Sequence, residues 1–385
     1  MDLSYILNEL GEERENYFNA VAPPIIQTSN FTFKNVAGFR KALADEYYAT
    51  LYSRGNNPTV DILRKKLAAL DGAEDALVFG SGVAAIATPI LSFLNQGDHV
   101  VSVARPYSWT IKLFERLLPK FGISTTFVDG TKVENFENAI QPNTKLIYLE
   151  SPNTFTYELQ DLQSVALLAK SNGILTMIDN SYCSPINQQP YKMGIDLVAQ
   201  TATKFIGGHS DVVAGVVTGS KAMIKKIFDA EFLNLGGTIS PMNAWLLIRG
   251  LRTLPIRLQR VCDSTKKVIA YLESHPKIEK VIFPFHPAFP QYELAKKQMK
   301  DAGGLFSVVL KVNTLEEVEA FCDSLKHFFL AVSWGGHESL VIPAAVGFAP
   351  NEFEASNQNH RLVRLYIGLE DPDYLIADLK QALEK

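Results

Sequence analysis

The sequence predicts an α/β protein with a mostly parallel central sheet, helices on both faces of that sheet, and a smaller C-terminal α+β domain. Short apolar runs alternate with segments of helical spacing from Pro58 onward, a pattern that favours a parallel sheet covered on both faces. Gly236, Gly237 and Pro241 then interrupt the chain before a long amphipathic stretch, and strand-like and helix-like segments follow it. A length of 385 residues is enough for two domains.

The first 47 residues are predicted to form an N-terminal helix and an irregular arm, because Pro23 and Pro24 interrupt any helix there. The large domain is predicted over residues 48–242 and the small domain over residues 243–385.

The predicted elements follow from apolar runs and their spacing. In the large domain a helix is predicted from Pro58, and the predicted strands are residues 76–79, 99–104, 146–150, 174–179 and 197–202. The small domain begins with a long predicted helix and continues with strands at residues 305–312 and 363–370 and helices at residues 315–325 and 373–383.

The composition is that of a compactly folded chain and disfavours nucleic acid as a principal ligand. Hydrophobic residues make up 47% and charged residues 20%, and 37 basic against 41 acidic residues give a net charge of −4. The paired lysines at 65–66, 225–226, 266–267 and 296–297 are predicted to lie on solvated faces.

The cysteine count and the N-terminus favour a cytoplasmic protein. Three cysteines far apart in sequence suit neither a disulfide framework nor a paired zinc site, so no metal site is predicted. The N-terminus is acidic where an export signal would be basic, and no apolar run approaches 18 residues, so neither export nor a membrane span is predicted.

Two glycines follow the first predicted strand of the large domain. Gly80, Ser81 and Gly82 precede a helix-like segment whose amino end would offer N–H groups to an anion such as a phosphate. A turn that only joins strand to helix fits equally well. A dinucleotide fingerprint fits poorly, because Asp98 precedes the next strand instead of ending it.

Lys204 and Asp179 follow two other predicted strands. Ligands collect beyond the carboxyl ends of parallel strands, and a lysine among hydroxyl residues and glycines there suits a Schiff base better than a solvated surface. Asp179 by itself is better interpreted as a structural acceptor than as the partner of a cofactor ring nitrogen, and His209 and Asp211 are interpreted as structural. A phosphate site, a lysine and a carboxylate together are what pyridoxal phosphate requires.

Seven strings of the sequence resemble the Cys/Met metabolism family of pyridoxal phosphate enzymes, which includes cystathionine γ-synthases, cystathionine lyases and methionine γ-lyase. The strings are YSRGNNPT from Tyr52, FGSGVAAI from Phe79, IDNSY from Ile178, ATKFIGGHSD from Ala202, LRTLPIR from Leu251, SWGGHESL from Ser333 and VRLYIGLED from Val363. The resemblance extends from about residue 23 to the C-terminus. It implies the aspartate-aminotransferase-like fold called fold type I and pyridoxal 5'-phosphate as cofactor.

The resemblance also implies the cofactor-binding residues. Lys204 would bind the cofactor covalently and then move protons at the substrate carbons, Asp179 would keep the ring nitrogen protonated, and Tyr107 would stack on the ring. The phosphate would be held by the start of the glycine-rich helix and by two threonine hydroxyls, that is by Ser81, Gly82, Val83, Thr201 and Thr203.

Other residues implied by the resemblance would bind substrate or lie across a subunit interface. Tyr52 and Arg54 would reach the phosphate of a neighbouring subunit, with Tyr52 also near the substrate. Arg364 would bind the substrate α-carboxylate, with Ser333 and Trp334 in the same pocket. The active site would then belong to a homodimer, and the resemblance suggests a homotetramer.

Two regions depart from the family pattern. Near the stacking tyrosine, Arg105 replaces an acidic residue and Ser108 and Trp109 replace glycines, while Tyr366 stands where serine is common. A bulky indole is expected to narrow or reshape the pocket.

The second departure is in the segment ESPNTFTYELQD from Glu150. Asn153 comes one position before the asparagine of the common family form, which hydrogen-bonds to the cofactor ring hydroxyl, and Thr154 and Phe155 follow it. Asn153 is nevertheless the residue predicted to bind the cofactor here.

The sequence predicts a carbon–sulfur lyase that cleaves cystathionine or a related cysteine conjugate by β-elimination to a thiol, pyruvate and ammonia. The ESP segment and the SWGG run resemble the bacterial cystathionine β-lyase branch, whereas YSRGNNPT is more similar to the γ-synthase and γ-lyase branch. The alternative is therefore γ-elimination or γ-replacement, as in cystathionine γ-synthase, cystathionine γ-lyase or methionine γ-lyase. Two further hypotheses are a dinucleotide-dependent oxidoreductase and a catalytically silent relative.

Overall fold

The computed structural model describes every residue from Met1 to Lys385. The chain forms two compact units. Unit 1 comprises Met1–Ser151, Gln160–Gly207 and Asp211–Arg252, and unit 2 comprises Pro152–Leu159, Gly208–Ser210 and Thr253–Lys385. The predicted three-part division at residues 47 and 242 stays a prediction.

Unit 1 is built on a seven-stranded, mostly parallel sheet. Its strands are β1 Asp75–Phe79, β2 His99–Val103, β3 Ser124–Val128, β4 Thr144–Glu150, β5 Leu175–Asp179, β6 Leu197–Gln200 and β7 Gly215–Gly219. They are ordered β1-β7-β6-β5-β4-β2-β3, and only β7 is antiparallel to its neighbours. The predicted parallel architecture is confirmed. Strands β3 and β7 were not predicted from the sequence.

The helices of unit 1 include members on both faces of this sheet. They are α1 Leu3–Asn8, α2 Val36–Ala44, α3 Pro58–Asp71, α4 Gly82–Phe93, α5 Ser108–Lys112, α6 Val133–Ala139, α7 Leu162–Ser171, α8 Ser184–Asn187, α9 Lys221–Ile227, α10 Leu233–Leu235 and α11 Pro241–Glu273, and π-helical turns Leu113–Leu117 and Phe228–Phe232 extend α5 and α9. In β4, Leu146 and Tyr148 belong to one buried cluster with Ile86 of α4, whereas Ile147 belongs to another with Val165 of α7. Alternate residues of the strand therefore support separate hydrophobic layers.

Unit 2 contains a five-stranded sheet and three further helices. The strands are β8 Ile278–Ile282, β9 Leu305–Leu310, β10 Phe329–Leu330, β11 Leu340–Pro343 and β12 Leu362–Tyr366, and the helices are α12 Tyr292–Gln298, α13 Leu315–Ser324 and α14 Pro372–Leu383. The strand order is β10-β11-β12-β9-β8, with β12 antiparallel to both neighbours. Helix α11 contributes residues to both units. No helix of the chain is long and apolar enough to cross a membrane.

One of the lysines predicted to be solvated is buried. Lys66 is 0% exposed, and its Nζ donates to the carbonyls of Ile6 and Leu7 and forms an ion pair with Glu12 at 3.1 Å. The prediction was wrong because the N-terminal segment covers this face of α3. The ammonium group thereby satisfies carbonyls at the end of α1, which lack helical partners.

A buried carboxyl, Asp71, connects the end of α3 to β6 and β7. It accepts two hydrogen bonds from Gln200 Nε2, at 2.8 and 2.9 Å, and one from Thr218 Oγ1 at 2.7 Å. It is 1% exposed, and no ionised partner faces it. Burial raises the pKa of Asp71 from 3.8 to about 7, although the bonds from Thr218 and Gln200 act in the opposite direction.

This shift predicts a pH-dependent stability. The pKa of Asp71 is higher in the folded than in the unfolded protein. Its protonated carboxyl therefore adds to the free energy of unfolding fully below pH 3.8, and this contribution is lost as the pH rises to about 7. The difference between the two pKa values corresponds to about 4 kcal/mol in the free energy of unfolding. We expect the melting temperature of Asp71→Asn, measured relative to wild type, to increase from pH 5 to 7.5 and then level off. The exposed Glu137→Gln is the control, and a pH-independent difference for Asp71→Asn would contradict the prediction.

Candidate active site

Polar side chains gather where the parallel strands of unit 1 end. Glu150 ends β4 and lies in register with Asp179, the last residue of β5, which is in turn in register with Ala199 of β6. The carboxyl edge of a parallel sheet is where ligands bind in such folds. The structure therefore brings Asp179 to the edge that the sequence indicates.

Asp179 is buried and interacts with the charge of Lys204. The side chain is 6% exposed, and its Oδ1 accepts a hydrogen bond from Ser181 N at 2.9 Å. Burial raises the pKa of Asp179, while the Ser181 bonds and the positive charge of Lys204 lower it. A buried carboxylate of this kind can hold a proton on a nearby ring nitrogen.

Lys204 lies in a tight turn just beyond β6. Its backbone N–H donates to Thr201 O at 3.2 Å, and Gly207 N donates to Ala202 O at 2.8 Å. Thr201 N donates to Ser181 Oγ at 2.6 Å, so Ser181 connects this turn to the Asp179 loop. Ser181 was not predicted as a site residue, because the string IDNSY contains it but does not show where its hydroxyl points.

The N-terminus of α4 forms a cradle against this turn. Ser81 caps the helix by accepting from Ala84 N at 3.2 Å, which leaves the N–H groups of Gly82 and Val83 available to an anion. A Cβ at position 82 would lie 2.2 Å from Thr201 Oγ1, so only glycine allows the Thr201 hydroxyl to reach this position. These features fit the phosphate of pyridoxal phosphate.

The hydroxyl of Thr203 already forms two hydrogen bonds to the backbone of Ala214, directly before β7. It donates to Ala214 O at 3.1 Å and accepts from Ala214 N at 3.0 Å. A phosphate contact from Thr203 remains a prediction, and it would require this hydroxyl to give up its donation to Ala214.

Tyr107 lies near Asp179 and is oriented by a carboxylate that the sequence analysis did not identify. Its backbone N–H donates to Glu150 Oε2 at 2.6 Å, and its side chain is 42% exposed at the start of α5. Burial, followed by the charges of Asp179 and Glu150, raises the pKa of Tyr107. The phenol therefore stays neutral with an accessible ring face, which suits stacking.

Tyr52 and Arg54 form a separate, exposed pair in unit 1. The guanidinium of Arg54 lies 5.4 Å from the centre of the Tyr52 ring. An open cleft of about 450 Å³ adjoins them and is lined by residues 27–29, 52–54 and 238–241. Neither side chain hydrogen-bonds to the residues around Lys204.

In unit 2, Arg364 is a buried guanidinium without a carboxylate partner. It lies on β12 and is 8% exposed. Its Nη1 donates to Thr154 Oγ1 at 3.1 Å and its Nη2 to Ser333 O at 3.2 Å. Burial lowers the pKa of Arg364, but a guanidinium remains charged at neutral pH. An unpaired buried cation of this shape is a ready receptor for a carboxylate.

Of the other predicted residues of unit 2, Ser333 contacts this arginine through its backbone carbonyl. Ser333 has φ +84°, and Trp334 after it is partly exposed. Asn153 is buried, and its side chain hydrogen-bonds to Thr156 and Glu158 of the same loop. A hydrogen bond from Asn153 to the cofactor remains a prediction, and it would replace one of these loop bonds.

The residues that depart from the family pattern are placed differently from one another. Arg105, Ser108 and Trp109 are exposed, and Lys112 Nζ lies 4.1 Å from the centre of the Trp109 ring. Tyr366 is fully buried, and its hydroxyl donates to Gly336 O at 2.9 Å. Tyr366 is therefore a packing residue, whereas Trp109 presents its indole to solvent.

Comparison with known proteins gives one consistent family. The model of the Cys/Met metabolism PLP-dependent enzyme family matches residues 6–384. An L-methionine gamma-lyase of Treponema denticola is 40% identical over 380 residues, which cover 96% of this chain and 94% of that protein. A cystathionine gamma-lyase of Bacillus subtilis is 37% identical over 370 residues, covering 95% and 94% respectively.

A solved structure agrees with the fold. The crystal structure of metB from Corynebacterium glutamicum superimposes with a TM-score of 0.91 at 34% identity, covering 100% of this chain and 98% of that one. The fold is therefore the fold type I architecture that the sequence predicted.

Proposed function

The chain belongs to the Cys/Met metabolism PLP-dependent enzyme family, and from this premise we propose that it is a carbon–sulfur lyase that cleaves a sulfur amino acid by γ-elimination. Relatives named methionine gamma-lyase and cystathionine gamma-lyase support the γ-reaction. The predicted β-elimination is not confirmed, and the alternative stated with it is the better supported reaction.

One observation carries the proposal: hydrogen bonds through Ser181 and Thr201 connect the buried carboxyl of Asp179 to the turn that contains Lys204, beside the anion cradle at Gly82. Pyridoxal phosphate, the cofactor of this family, supplies an aldehyde for the substrate amine and a ring that accepts the electron pair released at the substrate carbon. Lys204 is the proposed base that removes the α-proton. Asp179 would keep the ring nitrogen of the bound cofactor protonated, and Tyr107 would stack on the ring.

The γ-reaction requires a second proton removal, from the β-carbon, before the sulfur leaves the γ-carbon. We assign both removals to Lys204, because its amine is the one whose charge acts on Asp179. Gly82, Val83 and Thr201 would hold the phosphate of the cofactor, and one base would then serve two adjacent substrate carbons. Arg364 binds the α-carboxylate of the substrate.

A specific observation keeps β-elimination as a second candidate. In the segment that begins with ESP, the Asn153 side chain hydrogen-bonds to Glu158 of the same loop. The asparagine of the common family form, one position later, is replaced by Thr154 in this chain. That segment is the one that resembles the bacterial β-lyase branch.

Product analysis distinguishes the two reactions. With cystathionine, γ-elimination yields cysteine, 2-oxobutyrate and ammonia, whereas β-elimination yields homocysteine, pyruvate and ammonia. We expect 2-oxobutyrate from cystathionine or methionine, measured by chromatography of the oxo acids, with Lys204→Ala as the control for uncatalysed decay. Pyruvate alone would establish β-elimination, and neither oxo acid despite full cofactor occupancy would indicate a catalytically silent relative.

We also propose that the active site is completed in a homodimer, itself part of a homotetramer. Tyr52 and Arg54 are exposed, and their side chains are ordered by contact with each other beside an open cleft. In this proposal they bind the phosphate held by the partner subunit. A monomer in solution that retains full activity would contradict it.

A further inference from the structure

A loop of unit 2 holds two aromatic residues in a backbone conformation that bulky side chains rarely adopt. Phe155 has φ +68° and Tyr157 has φ +56°. For residues of this size the left-handed region is strained, and such strain persists only where surrounding contacts enforce it. Contacts around the loop between β4 and α7 must therefore hold this conformation.

The contacts that enforce it are internal to unit 2. Asn153 N donates to Glu158 O at 3.1 Å, and Asn153 Oδ1 accepts from Glu158 N at 3.1 Å, which closes the loop at its base. Ser307 Oγ donates to Tyr157 Oη at 3.3 Å, and Ser307 is the β9 residue in register with Arg364. The loop is thus attached to the sheet next to the arginine.

The strained backbone brings two side chains onto that arginine. The Phe155 ring centre lies 5.0 Å from Arg364 Cζ, and Thr154 Oγ1 accepts from Nη1 at 3.1 Å. Arg364 Nη2 donates to Ser333 O. A guanidinium has five N–H donors, so each terminal nitrogen keeps one N–H for a ligand. The ring limits the tilt of the guanidinium, and the hydroxyl limits its rotation.

We propose that Phe155 and Thr154 are positioning residues of Arg364, which hold its guanidinium in the one orientation that accepts the α-carboxylate of the amino-acid substrate. This inference rests on the proposed role of Arg364 in the function above. It also explains the second departure of the sequence, because the two residues after Asn153 serve the carboxylate site in this chain. Loss of either contact therefore weakens binding of the carboxylate and leaves the chemical step intact.

The test measures binding without chemistry and then turnover. Norleucine resembles methionine but has no sulfur leaving group, and norleucinamide additionally lacks the carboxylate. Binding of both is measured by thermal shift of the cofactor-loaded enzyme for wild type, Phe155→Leu, Phe155→Tyr and Thr154→Val, with the exposed Phe329→Leu as matched control. The KM and kcat for methionine and cystathionine are measured on the same proteins.

We expect Phe155→Leu to weaken norleucine binding and raise KM by about five- to thirtyfold, the range of a partly desolvated cation–π contact. The kcat and the affinity for norleucinamide should change less than about twofold, because neither depends on the guanidinium orientation. Phe155→Tyr should keep the wild-type KM and norleucine affinity. Thr154→Val should weaken norleucine binding by about fivefold or more. Phe329→Leu should match wild type.

Unchanged norleucine binding in both Phe155→Leu and Thr154→Val would overturn the inference. If Phe155→Leu fails to fold, the hydroxyl variant Thr154→Val decides alone. Arg364→Leu separates this outcome from failure of the proposed function. If Arg364→Leu weakens norleucine binding while the two loop variants do not, only the positioning role is wrong. If Arg364→Leu leaves norleucine binding unchanged, the assignment of Arg364 as carboxylate receptor is wrong.

Discussion

Replacement of Lys204 by alanine is expected to lower kcat by about 10⁴-fold, because in the proposed function one side chain serves as covalent anchor and as acid–base group. The protein should still bind the cofactor through the cradle of Gly82 and Thr201, although the bond to Lys204 is gone. The visible absorbance before and after borohydride, followed by peptide mapping, shows whether the cofactor is attached at residue 204. Steady-state turnover of methionine gives kcat.

Lys204→Arg is the matched variant. It keeps a positive charge near Asp179 but can neither bond to an aldehyde nor accept a proton at neutral pH. It should therefore be as inactive as Lys204→Ala. Added methylamine should restore part of the proton transfer in Lys204→Ala and nothing in Lys204→Arg. Wild-type turnover in either variant would exclude Lys204 as the base.

Replacement of Asp179 by asparagine is expected to lower kcat by about 10²–10³-fold, the usual cost of removing one preorganised electrostatic interaction. The carboxyl is 6% exposed, so water does not compensate for its charge. A neutral amide cannot hold a proton on the ring nitrogen, and the electron pair released at the substrate carbon is then poorly stabilised. Stopped-flow measurement of α-proton exchange in deuterated water should show the same loss.

Two further variants test whether the effect comes from charge. Asp179→Glu keeps the charge and should lose less activity than Asp179→Asn. Asp196, which precedes β6 and accepts from Thr176 N at 2.8 Å, is a structural aspartate at the opposite end of the strands. Asp196→Asn should lower the melting temperature and leave kcat within about twofold. Equal activity losses in Asp179→Asn and Asp196→Asn would argue against a specific role for Asp179.

The main elements of the fold could be predicted from local patterns. Helix α3 begins at Pro58 and ends at Asp71, before Gly72 at φ +71°, and these start and stop signals are local to the chain. Strands β3 and β7 of unit 1 and β8, β10 and β11 of unit 2 were not predicted. Strand β3, at Ser124–Val128, contains hydroxyl residues and is only partly buried, so its apolar pattern is weak. The reversed direction of β7 depends on pairing with β1 and β6, which no local pattern encodes.

The core of the site was equally accessible to sequence reasoning. Asp179 and Lys204 follow parallel strands, so topology alone brings them to one edge of the sheet. The family could be identified from seven strings, but the reaction within it could not. The named relatives favour the γ-reaction, whereas the ESP segment had favoured the β-reaction. Both reactions use the same lysine, so these motifs do not separate them.

By itself the sequence determined the α/β architecture, the family, the cofactor and the strand-end residues, because each depends on neighbours along the chain. Only the tertiary structure decided which polar groups are buried and what they contact. Lys66 proved to be buried against residues some sixty positions earlier in the chain, and Phe155 proved to lie on Arg364. The physical reason is that hydrogen bonding and desolvation depend on distance in space, and residues far apart in sequence supply both.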